Sequence, residues 1–198
     1  MSYLEQLKPF SELLVPDRRS VEFDLYDSEV QEWRRITLQD FYGVIETIRL
    51  LPSVPSEVQT HFAAAHNLLA YSWYFYPFNV TAQFLGYVSV EFALRLRYGV
   101  GEQGSFKGLV KRAIRDGLVR DEGFSHIARP IERPAPPFMP PPIPSREEDS
   151  YVRRLIEALP GLRNHLAHGS SMLHSHGAAS VRVAAEFINQ LFPTVGVA

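Results

Sequence analysis

Arg163-Asn164-His165-Leu166-Ala167-His168 closes a run in which Val152, Leu155, Leu159, Leu162 and Leu166 recur at three- and four-residue spacing. That period gathers the apolar side chains on one side of a helix, and it predicts a mainly α fold. At about 100° per residue, with Leu155 at zero, Asn164 and His168 fall at roughly 180° and roughly 220°, opposite the apolar side. Arg163 falls at roughly 80°, on the shoulder. Arginine supplies a permanent, fork-shaped positive charge suited to phosphate. Histidine gives or takes a proton near neutral pH. The two do not point the same way from one helix, so either the long arginine curls back or a two-fold dimer pairs one subunit's arginine with the other's histidine. Gly169 ends the run. Pro160 inside it predicts a kink or a break into two short helices.

Outward from this run the helical pattern continues. After a loop over 169–176, Val181, Ala184, Ala185, Ile188 and Leu191 predict a last amphipathic helix that Pro193 closes. Before the run, acidic residues at 145–149 open the helix with the charge its dipole favours. Earlier still, residues 130–144 hold eight of the fifteen prolines. Such a stretch is extended, either a loop inside one domain or a docking peptide for a proline-reading domain. Ser105 starts a helix through Phe106, Leu109, Val110 and Ile114, and Lys107, Lys111, Arg112 and Arg115 give it a basic side. Between Arg95 and Arg133 nine Lys/Arg face five Asp/Glu. This stripe is either a solvated face or a track for a phosphate backbone.

Asn79 is expected to cap a helix from about 80 to Tyr98, with Gly99 as its stop. Leu85, Val88, Phe92 and Leu96 make one apolar face, and Tyr87, Val90 and Leu94 cover much of the other, so the helix belongs at the centre. Glu91 lies inside it and needs a cation, either Arg95 one turn on or an arginine elsewhere in the core. Residues 71–78 hold six aromatics. Without interleaved Lys or Arg this run suits a core or a subunit interface better than base stacking. Ser56 caps the helix before it, through Phe62, Leu68, Leu69 and Trp73. Thr37 and Asp40 form a capping-box start for a helix to about residue 50. Val21, Phe23 and Leu25 alternate with polar neighbours and predict a half-buried strand. Asp27 and Ser28 supply the turn, and residues 33–36 the returning strand. Near the start, Pro9 and Pro16 exclude a long helix, and Asp17-Arg18-Arg19 reads as a solvated turn.

The chain has 198 residues, 45% hydrophobic and 21% charged, with net charge -2. This is one globular domain, not a protein coated in basic charge. The expected division is an N-terminal extension with a β-hairpin over 1–37 and a helical domain over 38–198, with a proline-rich loop at about 121–148. The chain has no cysteine, which excludes disulfides, thiolate zinc and a cysteine nucleophile. A start without a basic, long apolar leader and a most apolar region interrupted by polar groups give the expectation of a cytoplasmic protein without a membrane span. Four of the seven histidines, His165, His168, His174 and His176, lie within twelve residues. Imidazoles suit zinc, copper or nickel, but no recognisable ligand spacing completes a site, so no metal and no cofactor is expected.

The stretch 163–169 resembles the signature of the HEPN superfamily (higher eukaryotes and prokaryotes nucleotide-binding), an arginine and a polar residue followed at short spacing by histidine. Residues 90–98 also resemble the family's earlier core helix, and the resemblance covers about 38–192. It implies an antiparallel helical bundle, from which the hairpin and the proline-rich insert depart. It further implies a metal-independent ribonuclease acting as a homodimer on RNA, in a toxin–antitoxin or anti-phage setting with a possible cognate antitoxin protein. In that reading His168 is the general acid/base, Arg163 holds the phosphorane-like transition state, Asn164 orients a catalytic group and Glu91 positions Arg163. Lys107, Lys111, Arg112, Arg115 and His165 would bind the substrate. Many members of the family are instead inactive dimerisation or nucleotide-sensing modules, which is the alternative.

Overall fold

The computed structural model describes residues 6–27, 30–101, 103–128, 150–169 and 176–194. The fold is mainly helical with one two-stranded antiparallel sheet. A short helix α1 (Arg18–Val21) leads into β1 (Asp24–Asp27) and β2 (Glu32–Arg35), followed by α2 (Leu38–Glu46), α3 (Ser56–Tyr71), α4 (Phe78–Tyr98), α5 (Phe106–Arg115), α6 (Ser125–Ala128), α7 (Tyr151–Ala167) and α8 (Gly177–Leu191).

Helix α4 is the centre, touching α3, α5, α7 and α8. Val90, Ala93 and Leu94 are fully buried. Burial runs along Ala82, Gly86, Tyr87, Val90 and Ala93, while Leu96 is 40% exposed. The face expected from Leu85 to Leu96 is therefore the outer one. Gln83 Nε2 donates to Ser180 Oγ at 2.8 Å, and a Cβ on Gly86 would lie 3.4 Å from Ala184 Cβ. The two helices thus run in the same direction with their backbones close. At the start of α8, a Cβ on Gly177 would meet Asn79 Oδ1 at 2.5 Å and its Cα at 3.2 Å, so only glycine fits there without a shift.

Where the sequence signal is local, the element begins as expected. Thr37 and Asp40 make a complete capping box, Ser105 accepts from the Gly108 N–H at 3.1 Å, and Gly99 ends α4 in the left-handed region at φ 60. Other expectations need correction. Asn79 does not cap α4, which starts one residue earlier. It is 5% exposed and donates to the Tyr76 carbonyl at 3.1 Å. Ser56 is the first helical residue of α3 and not its cap, and α3 stops at Tyr71. Helix α7 runs unbroken through Pro160, which is buried with Leu155 and Leu159. An internal proline costs about 3 kcal/mol, and burial of its ring among apolar neighbours offsets that locally. The expected acidic helix start at 145–149 lies outside the described residues. The carboxylate of Asp121 caps α7 instead, accepting from the N–H groups of Tyr151 at 3.0 Å and Val152 at 2.8 Å. Residues 121–128 accordingly form a 3-10 turn and α6 and not part of the proline-rich loop.

The hairpin pairs Leu25 with Arg34 and Tyr26 with Trp33. Its strands are not half-buried, because Phe23, Leu25 and Trp33 are all exposed. Two strands alone have no sheet behind them to cover. Polar contacts take over instead: Arg34 Nε donates to Asp27 across the hairpin at 3.1 Å, and its two terminal nitrogens tie the hairpin to the bundle by gripping Asp40 of α2 at 2.7 and 2.9 Å. Asp17, expected in a solvated turn, caps α1 and accepts from the Tyr76 N–H at 3.0 Å. Burial raises its pKa, but the bonds from Arg19 and Tyr76 outweigh that and leave it below the ordinary value.

Candidate active site

Arg163 lies in the last two turns of α7, on the shoulder between the buried leucines and solvent. Its side chain turns toward α4, where Nη2 meets Glu91 Oε2 at 2.5 Å. Glu91 Oε1 accepts from Arg95 Nη2 at 2.7 Å. Both cations suggested for this carboxylate therefore hold it, one on each oxygen. The Glu91 side chain is only 13% exposed and that of Arg163 27%, so the pair is shielded enough for its charge to matter. Two arginines against one carboxylate leave this cluster with an excess of one positive charge.

Further contacts fix the guanidinium. Arg163 Nη1 donates to the Asn164 side-chain oxygen at 2.8 Å. Its Cζ lies 5.6 Å from the centre of the Phe106 ring, within reach of a cation–π contact. Arg163 Nε is buried and has no partner among the described residues. The sequence pattern did not reveal Phe106, whose part depends on α5 packing against α7.

His168 takes the C-cap position of α7, its backbone N–H bonded to the Asn164 carbonyl at 3.0 Å. His165 and His168 are both exposed, as is Asn164. Gly169 turns the chain away at φ 86. The chain thus joins Arg163, Asn164 and Glu91, while His168 is exposed and, among the described residues, makes no hydrogen bond to Arg163.

The basic side of α5 is exposed but mostly paired. Lys107 meets Glu157 of α7 at 2.6 Å, and Arg112 and Arg115 share Asp116 at 3.6 and 3.4 Å. Arg112 also lies 4.0 Å from the centre of the Tyr98 ring, and burial with the bond to Asp116 pushes the Tyr98 hydroxyl pKa up. Lys111 has no ion-pair partner among the described residues.

Among the described residues no three His, Asp or Glu side chains are placed to hold a metal ion, and no helix is long and apolar enough to cross a membrane. His174 lies outside the described residues, and His176 stands at the N-cap position of α8. No protein-family model, no curated protein and no solved structure matches this chain.

Proposed function

We propose that this protein is a HEPN-type endoribonuclease that cleaves RNA without a metal, in a site completed by a second copy of the chain. The observation that carries the reading is the Glu91–Arg163 ion pair at 2.5 Å. It holds Arg163 at a fixed place beside the exposed amide of Asn164, on the helix whose C-cap is the exposed His168.

In this reading His168 takes the proton from a ribose 2′-hydroxyl. The freed oxygen attacks the adjacent phosphorus, the bond to the 5′-oxygen breaks, and that oxygen leaves with the proton that the His168 imidazolium gives back. The product ends are a cyclic 2′,3′-phosphate and a 5′-hydroxyl. Arg163, with the excess charge of its cluster, stabilises the phosphorane-like state by charge-assisted hydrogen bonds. Glu91 and Asn164 hold the guanidinium in place, and Lys111 and His165 are the free surface groups nearest in kind to a phosphate track. Because Arg163 turns inward and His168 outward on the same helix, a two-fold partner supplies the missing half. A toxin–antitoxin or anti-phage setting, with a protein antitoxin, fits an enzyme of this type.

The full-length protein should cleave single-stranded RNA in excess EDTA. His168→Ala and Arg163→Ala should each lower the rate at least about 100-fold with the helical circular dichroism unchanged. A second reading, an inactive interaction module, is favoured by the pairing of Lys107, Arg112 and Arg115 with carboxylates, which leaves little free charge for RNA. It predicts no cleavage of any RNA, with both substitutions altering self-association alone.

A further inference from the structure

We propose that the outer face of the hairpin, built on Trp33 and Tyr26, docks a Lys/Arg-bearing segment of another protein. The register pairs Tyr26 with Trp33 and Leu25 with Arg34. Successive residues of a strand point to opposite faces, so Trp33 and Tyr26 lie on the side away from Arg34. Arg34 reaches Asp40 of α2, so its side is the one turned to the bundle and the Trp33–Tyr26 side is turned out. Trp33 is 72% and Tyr26 48% exposed, with their ring centres 5.4 Å apart. An aromatic pair left in water in this way is the kind of surface that a partner chain covers.

Charge selects the partner. The tip, residues 27–32, carries Asp27, Glu29 and Glu32 and no Lys or Arg. Asp27 stands directly opposite Glu32 in the register, and like charges in that position destabilise a strand pair. Arg34 offsets part of this repulsion, but its guanidinium already serves two carboxylates, Asp27 at 3.1 Å and Asp40 at 2.7 Å. Glu32 has no ion-pair partner among the described residues. Arg35, which shares the outer face with Trp33, is taken up by Asp24 at 3.3 Å and by the Glu22 carbonyl. The hairpin therefore has carboxylate charge to spare beside two exposed rings.

A basic segment answers both features. One ammonium or guanidinium rests over the Trp33 ring. A neighbouring basic side chain reaches Glu32 around a ribbon whose strands are only about 5 Å apart. The same negative charge repels a phosphate backbone and an anionic lipid surface, which sets this face against nucleic acid and membrane. This inference does not depend on the ribonuclease reading.

The test titrates the full-length protein into fluorescein-labelled octa-arginine at neutral pH and about 0.1 M salt, and follows the anisotropy of the peptide. Binding should be saturable. Glu32→Gln should weaken it at least about threefold and Trp33→Leu at least about fivefold. Glu32→Gln removes a like-charge contact and leaves the hairpin intact, so it decides the matter even where Trp33→Leu loosens the strands. Glu122→Gln, which removes the same charge from the turn before α6, should leave the affinity unchanged. An equal loss in Glu122→Gln, which would mean attraction to net charge alone, overturns the proposal, and so does an affinity that survives both hairpin substitutions. Octa-uridylate that binds and quenches Trp33 where octa-arginine does not would overturn it in favour of a base-stacking face.

Discussion

Glu91 has two carboxylate oxygens and two arginines, and each oxygen serves one of them. Replacing it with glutamine keeps the shape, removes the charge and leaves two guanidinium groups facing each other. Removing one partner of a fully buried pair costs 3–5 kcal/mol as a rule, and partial exposure scales this down to about 2 kcal/mol here. Glu91→Gln should show that loss in urea unfolding. It should also lower RNA cleavage about 100-fold at a temperature where the variant is fully folded, because a displaced Arg163 no longer meets the phosphate. Unfolding without a separate loss of rate would assign Glu91 a purely structural role.

Elements in this fold start and stop for two kinds of reason, and the sequence displays only one. Thr37 with Asp40, Ser105 and Gly99 act on neighbours three or four residues away, so their signals were legible. The cap of α7 was not, because Asp121 reaches it from 30 residues upstream in a segment that reads as loop. Nor was the continuity of α7 through Pro160, which depends on packing and not on propensity. Both partners of Glu91 were readable, Arg95 from its spacing on the helix and Arg163 from the resemblance. Phe106 was not, since only tertiary packing brings it to Arg163. Asp121→Ala should cost about 1–2 kcal/mol of unfolding free energy, the typical loss for a helix cap.

The hairpin depends on Arg34 in the same non-local way. Bonds from Arg34, then from Thr37, hold the Asp40 carboxyl well below the usual carboxylate range. A group whose pKa is lowered by folding stabilises the fold above its unfolded value of about 3.9 and loses that contribution as pH falls below it. Trp33, 72% exposed on β2, reports the state of the hairpin by its fluorescence. As pH falls below about 4 this hold should weaken progressively, and the hairpin should be released in the parent protein only well below that, where Asp40 takes up its proton in the folded state. In Asp40→Asn the hairpin should already be loosened at neutral pH, with little further change on acidification.

At the scale of the whole molecule, the motif's arginine and histidine are held apart within one chain. Arg163 is drawn inward onto α4 while His168 caps the outer end of α7. The apolar surface is equally lopsided: Leu7, Phe10 and Leu14 are each more than three-quarters exposed near the N-terminus, on the side of the molecule that adjoins Tyr71 and Tyr74. Lys8 pins that segment by donating to the carbonyls of Val15 and Tyr74 at 2.6 and 3.0 Å. In the proposed function the site is shared between two chains. Mixing the inactive Arg163→Ala and His168→Ala proteins, letting their subunits exchange and following RNA cleavage in EDTA distinguishes a shared site from one within a single chain. Half of the dimers are then hybrids, each with one intact Arg163–His168 pair out of two, so activity should return to about a quarter of the parent's. A mixture as inactive as its two components would contradict the shared site.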